Sequence, residues 1–293
     1  MSERQLAGED LLTQAGRDGS QDGGTYGSAV AAEGWRRGVA GRAWLRPITE
    51  RMLDLAGIGA GHRVLDVAAG TGEQTLMAAR RVGSHGLVLA TDIADRMLAY
   101  LDEAARSEGL TNVQTRLMDA RQLELEPQSF DAAICRLALM LIPERDRALA
   151  GIHRALKPGG RFAAVVLSTA EKVPHISESL AIARRHAGLP PAPFEDPGMF
   201  ALGDPAVLRN TFERAGFREV AVEIVPSVQR FPSFAAAMEQ RRNSLPEMRP
   251  YLEQLTDAKR DAVWKEIEMV MRQFERDDGV FVPTECLVAV GTE

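Results

Sequence analysis

Two different spacings of apolar residues divide the chain. From 29 to 58, Val39, Ala43, Ile48, Met52, Leu53 and Leu55 recur every three or four positions, which predicts amphipathic helix. Pro47 suits a first helical turn, and Gly57 with Gly59 closes the segment. Beyond residue 60 the pattern shortens. Apolar runs at 63–68, 87–91, 113–118, 130–135 and 161–167 read as buried strands, and the stretches 73–82, 95–108 and 145–156 between them read as helices. Strand and helix alternating this often predict a parallel sheet in an α/β fold, doubly wound by right-handed crossovers.

The later part of the chain is more helical. Residues 172–216 read as helices joined by a proline-rich loop at 189–197, and a strand follows near 217–225. A helical insertion at 233–276 precedes a last strand at 285–290, which makes seven strands in all. Within the insertion Val263, Ile267, Val270, Met271 and Phe274 form one apolar face. The charges around the rest mix both signs, unlike the basic polar face of a membrane-surface helix. This insertion is expected to pack on the protein as a lid, as the contact of a homo-oligomer, or as both. At the other end, residues 1–28 are polar and glycine-rich. They are expected to form an arm that is mobile without ligand and closes over the site, with 29–293 as a single domain.

Charge and composition narrow the function. A net charge of −6 without a basic stripe argues against a nucleic-acid partner. No apolar run is long enough to span a bilayer, and MSERQLAGED lacks the apolar core of a secretory signal. Two isolated cysteines, Cys135 and Cys286, form no disulfide framework. A cytoplasmic protein without membrane attachment is therefore expected. The scattered histidines form no metal-ligand pattern, so no metal is expected either.

The densest chemical signal is Val64-Leu65-Asp66-Val67-Ala68-Ala69-Gly70-Thr71-Gly72-Glu73, where a buried strand ends in an acid, a small-residue turn follows and a helix begins. Ligands in such sheets bind outside the carboxyl ends of strands, and small residues let backbone approach them closely. A nucleotide phosphate fits such a turn. So does an aminocarboxypropyl arm, whose ammonium favours a carboxylate such as Asp66. The dinucleotide fingerprint G-x-G-x-x-G fails at its third glycine, which is Thr75. Asp92, about 20 residues further on at the end of the second strand, is placed to accept hydrogen bonds from two ribose hydroxyls. Asp95 reads as a helix cap. Asp119-Ala120 ends the third strand and offers either an adenine contact or a surface turn.

Taken in order, Asp66 to Gly72, Asp92, Asp119-Ala120, Phe130-Asp131 and 156–161 (Leu-Lys-Pro-Gly-Gly-Arg) resemble the class I S-adenosylmethionine (SAM)-dependent methyltransferases. The resemblance is strongest to the small-molecule branch similar to ubiquinone/menaquinone C-methyltransferases. It implies a Rossmann-like sheet with an antiparallel last strand and a cofactor core at 60–170. SAM is the implied cofactor and S-adenosylhomocysteine the product. The implied acceptor is a small molecule, and the quinone branch points to a carbon centre in secondary or quinone-type metabolism. Asp66, Ala68, Gly70 and Gly72 would hold the methionine part, and Asp92 the ribose. Ile93 and Met97 would lie near adenine, Asp119 and Ala120 on its other edge, and Arg136 and Leu137 on the sulfonium side. Ala68 departs from the family's usual first glycine.

Candidate bases are His175 and His186, with Glu178 three residues after the first on a shared face. His153 is expected to be structural. On the acceptor side, Tyr26, Trp35 and Trp44 offer rings to close over a sulfonium or to pack in the core, and Met140, Met199, Met238 and Met248 offer an adaptable acceptor pocket or core filling. Two rival readings remain: an NAD(P)-dependent oxidoreductase, and a SAM-fold binding protein without methyl transfer. Asp92→Ala is expected to weaken SAM affinity about a hundredfold, as two charge-assisted hydrogen bonds warrant. Calorimetry reads the change, and wild-type affinity in the variant would refute the ribose assignment.

Overall fold

The computed structural model describes Glu33 and residues 43–190, 196–243 and 246–293. The elements in chain order are α1 (Leu45–Leu55), β1 (Arg63–Val67), α2 (Glu73–Val82), β2 (Leu87–Asp92), α3 (Asp95–Ser107), β3 (Val113–Leu117), β4 (Phe130–Arg136), α4 (Arg145–Ala155) and β5 (Leu156–Leu167). They continue with α5 (Pro174–His186), α6 (Pro205–Arg214), β6 (Arg218–Phe231), α7 (Phe234–Asn243), α8 (Arg249–Glu253), α9 (Asp257–Arg272), β7 (Glu275–Arg276) and β8 (Gly279–Thr292).

The strands form one sheet in the order β3-β2-β1-β4-β5-β8-β6, with the two-residue β7 beside β8. β1 to β5 pair in parallel, and β8 runs antiparallel to both β5 and β6. Strand order reverses between β1 and β4, so right-handed crossovers place α2 and α3 on one face and α4 on the other. The central strands are buried on both faces because they are uninterrupted apolar runs; Val64, Leu65, Ala132, Ala133, Ile134 and Val165 are wholly inaccessible. Phe162 of β5 stacks on Phe212 of α6 at 5.1 Å between ring centroids, and Phe217 leans on both. His153 meets Phe217 edge-on and reaches the Gly216 carbonyl, a structural role.

The expected fold class stands, with two differences at its C-terminal end. The short β7 brings the strand count to eight, and β6 and β8 are far longer than 217–225 and 285–290. β5 leaves β8 at Leu167↔Cys286, whereas β6 and β8 stay paired for six more positions, to Phe231↔Val280. This two-stranded ribbon projects roughly 20 Å past the carboxyl edge of the parallel strands. Pro226 and Pro283 hide it in the sequence, because proline argues against strand; here both occupy exposed positions.

The opposite face of the ribbon carries the insertion. Gln229, Phe231, Val280, Val282 and Thr284 are buried, and α5, α7 and α9 pack over this end of the molecule. α9 turns Val263, Ile267 and Met271 inward, as its spacing predicts; Val270 and Phe274 are only partly covered. Its first turn is capped by the Thr256 hydroxyl, which accepts from the Lys259 amide. Ile267→Ala is expected to cost about 2–5 kcal/mol in urea unfolding. A loss below about 1 kcal/mol would show that α9 does not pack as described.

Candidate functional site

The parallel strands bring the sequence-predicted groups to one edge of the sheet. Asp66 lies in β1 beside Ala90 of β2 and Ile134 of β4, and Asp92 ends β2 opposite Leu117 of β3. Arg136 ends β4, one strand from the turn that follows β1. Asp66, Asp92, Asp119 and Arg136, far apart in the chain, thus flank a single cleft edge at the reversal of strand order.

Asp66 is wholly buried beneath the turn. The Thr75 hydroxyl donates to its Oδ2 at 2.5 Å and the Gln74 amide to its Oδ1 at 3.3 Å, while Gln74 also donates to the Ala69 carbonyl at 2.9 Å. Burial pushes the Asp66 carboxyl up to about 7, against the opposing effects of Thr75, Gln74 and the Arg136 charge. Thr75 stands where the dinucleotide fingerprint has its third glycine, and its side chain clamps the acid under the turn.

The turn itself is tightly specified. Ala68, Gly70 and Gly72 all have positive φ, at 55°, 59° and 83°. A Cβ on Gly72 would stand 2.1 Å from Leu101 Cδ1 in α3, so only glycine fits there. A Cβ on Gly70 would meet nothing within 4 Å; its α-carbon faces open space, as a backbone that receives a ligand must. Asp92 holds this turn as well. Its Oδ2 accepts from the Gly70 amide at 2.8 Å and its Oδ1 from the Ala94 amide at 2.9 Å. Burial raises the Asp92 carboxyl above its ordinary value, and these amides oppose the shift.

An apolar rim adjoins Asp92. Ile93 is 40% exposed and Leu117 58% exposed, uncommon positions for large aliphatic side chains at a sheet edge. Met97 lies buried in α3 nearby. Asp119 caps the short turn containing Ala120, and its carboxylate takes the Arg121 guanidinium at 2.6 Å. That partner holds Asp119 below the usual carboxylate range. Arg136 donates to Glu73 Oε2 at 2.9 Å and to the Thr49 hydroxyl at 2.9 Å, joining the start of α2 to α1. Leu137 follows with a φ of 56°, a conformation costly for a branched side chain, and its amide donates to the Val165 carbonyl.

The candidate bases separate. His175 is wholly buried, and the Gln229 amide donates to its Nε2 at 3.0 Å. Burial and the nearby Arg241 charge push its pKa well below the usual histidine range, so the ring is neutral. Glu178 is exposed and does not share its face; Ser179, four residues on, does. His186 Nε2 meets Glu266 Oε1 at 2.6 Å, which clips α5 to α9. Met140, Met238 and Met248 are buried and Met199 is half-buried against the core, so core filling accounts for them. Trp44 is half-buried beside the ribbon, its carbonyl accepting from Ser227 Oγ at 3.3 Å. Tyr26, Trp35 and the 1–28 arm lie outside the described residues. Thr49, Gln229, Arg241 and Thr284 carry no local signal in the sequence, and for Glu73, which ends the glycine motif, the pairing with Arg136 is not legible there. Among the described residues no His/Cys/Asp/Glu group could hold a metal, and no helix is long and apolar enough to cross a membrane.

Comparison with known proteins agrees with this geometry. Residues 58–188 match the family model of a methyltransferase domain. Over 111 residues the chain is 40% identical to the ubiquinone/menaquinone biosynthesis C-methyltransferase of Teredinibacter turnerae, covering 38% of this chain and 45% of that protein. The chain therefore matches less than half of that relative's length. The YcgJ protein of Bacillus subtilis superposes with a TM-score of 0.55 at 18% identity, over 84% of this chain and 97% of that one. Phosphoethanolamine N-methyltransferase 2 of Haemonchus contortus, solved with phosphomonomethylethanolamine and S-adenosylhomocysteine, gives 0.53 at 20% identity, over 84% and 52% of the two chains. Identities this low show a shared fold.

The two glycines of the turn yield separable outcomes. Gly72→Ala is expected to destabilise the protein by about 2–4 kcal/mol through overpacking and positive φ. Gly70→Ala should cost only about 1–2 kcal/mol while sharply weakening S-adenosylhomocysteine binding. Denaturant unfolding and calorimetry measure the two effects, and undiminished binding by Gly70→Ala would show that its open side is not the ligand side.

Proposed function

We propose that this protein is a SAM-dependent methyltransferase acting on a small-molecule acceptor, with a carbon centre favoured by the likeness to the C-methyltransferases. The observation that carries the reading is the charge at the glycine turn. Asp66, Asp92 and Glu73 converge there, with Arg136 paired to Glu73 and its charge reaching Asp66. Such a site suits a ligand bearing an ammonium and a sulfonium. A pyrophosphate would instead face the Glu73 carboxylate at the start of α2, where an anion site needs bare amides. Thr75, occupied with Asp66, further disfavours the dinucleotide reading.

The residues present fit the cofactor. Asp66 lies beneath the open Gly70 backbone, Asp92 ends β2 with lone pairs beyond those used by the turn, and Ile93 presents an apolar surface for an adenine face. Asp119 and Ala120 stand at the neighbouring strand end, and Leu137 follows β4; we assign Leu137 to the sulfonium side. SAM supplies a methyl group already activated on sulfur. The protein's own part is then to align the acceptor in line with the S–CH₃ bond and to exclude water. Neither His175, neutral in the core, nor His186, paired with Glu266, is required as a base by that chemistry. We assign the cofactor to the core 60–170, and place the acceptor between it and a lid formed by 233–276.

Calorimetry is expected to show micromolar binding of S-adenosylhomocysteine and none of NADH; the reverse would move the protein to the oxidoreductases. Asp66 adds a pH signature. Its folded-state pKa, about 7, exceeds the ordinary 3.8, so its contribution to stability is full at low pH and is lost as pH rises through about 7. An ammonium seated over Asp66 favours the ionised carboxylate. Binding near pH 6.5 should therefore release a proton, read as a dependence of binding heat on buffer ionisation enthalpy. Asp66→Asn should abolish that release, and a release unchanged in the variant would place the ammonium elsewhere.

A further inference from the structure

Beneath the insertion lies a second polar group that the cofactor site does not use. His175 of α5, Gln229 of β6, Arg241 of α7 and Thr284 of β8 are all buried, at 8% exposure or less. The ribbon register sets Gln229 against Val282 and Ser227 against Thr284, so Gln229 and Thr284 are diagonal neighbours on its covered face. Gln229 holds His175, and the Arg241 charge is close enough to disfavour a second positive charge on that ring. Three of these side chains keep a buried polar atom without a hydrogen bond among the described residues: His175 Nδ1, Arg241 Nε and Thr284 Oγ1. The Pro283 carbonyl lies beside the imidazole, and Glu247 is the carboxylate whose field reaches Arg241.

The group is rich in donors. With Gln229 donating to Nε2, the His175 proton resides on Nδ1. Arg241 offers only N–H, and a threonine hydroxyl can donate. Native interiors rarely leave three such atoms unmet in one place, and a buried guanidinium calls for anionic oxygen, of which the Glu247 carboxylate already supplies some at Arg241. A relay of contacts through α1 connects the patch to the cofactor edge. Arg136 bonds Thr49 of that helix, the carbonyl of Trp44 at its start accepts from Ser227, and Ser227 faces Thr284.

We propose that His175, Arg241 and Thr284 form the recognition site for the methyl acceptor, and that the acceptor carries an acidic oxygen such as a carboxylate, phenolate or enolate. This rests on the methyltransferase reading above. Arg241 neutralises the oxygen's charge, while the His175 Nδ1–H and the Thr284 hydroxyl complete its hydrogen bonds. His175 acts as a neutral donor and takes no proton from the acceptor. Gln229 is a positioning residue, because it fixes which ring nitrogen carries the proton.

The test uses the full chain saturated with S-adenosylhomocysteine, titrated with benzoate and hexanoate and, as neutral isosteres, benzamide and hexanamide. The acids are expected to bind at least about tenfold more tightly than the amides, as a charge-assisted contact warrants. Arg241→Met and Thr284→Val should each weaken acid binding by about tenfold while leaving S-adenosylhomocysteine affinity unchanged. Thr284→Val is nearly isosteric and should keep or raise the melting temperature, so it decides the matter if Arg241→Met fails to fold. Equal binding of acids and amides, no acid binding at millimolar concentration, or unchanged acid affinity in Thr284→Val would overturn the proposal and identify the cluster as water-filled core. Failure of the wild type to bind S-adenosylhomocysteine would strike the methyltransferase reading instead.

Discussion

The contact between the Thr75 hydroxyl and the Asp66 carboxyl holds the functional edge together. It fastens the first helix after β1 to the strand that precedes it, with the glycine turn stretched between them. Gln74 repeats the tie and also grips the Ala69 carbonyl, while Asp92 secures the far side of the turn through the Gly70 amide. A turn with three residues at positive φ has few conformations compatible with its neighbours, and these side-chain bonds select one. Arg136 extends the network to α1 through Thr49. The groups facing a ligand are thereby positioned before it arrives, which is the arrangement that limits reorganisation during a reaction.

The same edge is built differently at its two ends. Around β1 and β2 it is made of short strands and tight turns, so side chains sit close to backbone. Beyond β5 the sheet narrows to the β6–β8 ribbon, which carries the helices of the insertion past the edge. The first construction fixes side chains against backbone, whereas the second sets its helices apart from the turn. The clip between His186 and Glu266 and the buried face of α9 attach this superstructure firmly to α5.

Legibility in the sequence followed the same division. The edge around β1 and β2 could be read because each of its residues occupies a position that local pattern defines: an acid at a strand end, a glycine where a helix begins. Asp66, Gly70, Gly72 and Asp92 therefore lie where the pattern places them. The ribbon could not be read. Pro226 and Pro283 argue against strand, and only the pairing partner and the exposed side of each make them tolerable. Nor could the environment of His175, whose neighbours Gln229, Arg241 and Thr284 come from three separate elements. Its apparent partner, Glu178, faces solvent because the buried stripe of α5 passes through the fourth residue on rather than the third.

Backbone strain falls at two strand ends of the candidate site, as it does at Gln128, Glu144 and Glu219 elsewhere. Ala68 and Leu137 adopt left-handed conformations that glycine would take freely, each at roughly 1–2 kcal/mol. They directly follow β1 and β4, the two strands on either side of the reversal in strand order. Glycine at 137 would relieve the strain but remove an apolar side chain that packs against the core beside Arg136. Glycine at 68 would loosen a turn whose rigidity holds the Gly70 backbone open. The buried polar atoms of His175, Arg241 and Thr284 are a second reservoir of the same kind, since apolar residues of similar shape would stabilise the lid. Strain at the strand ends and unmet donors beneath the insertion each cost stability, and a scaffold selected for stability alone would retain neither.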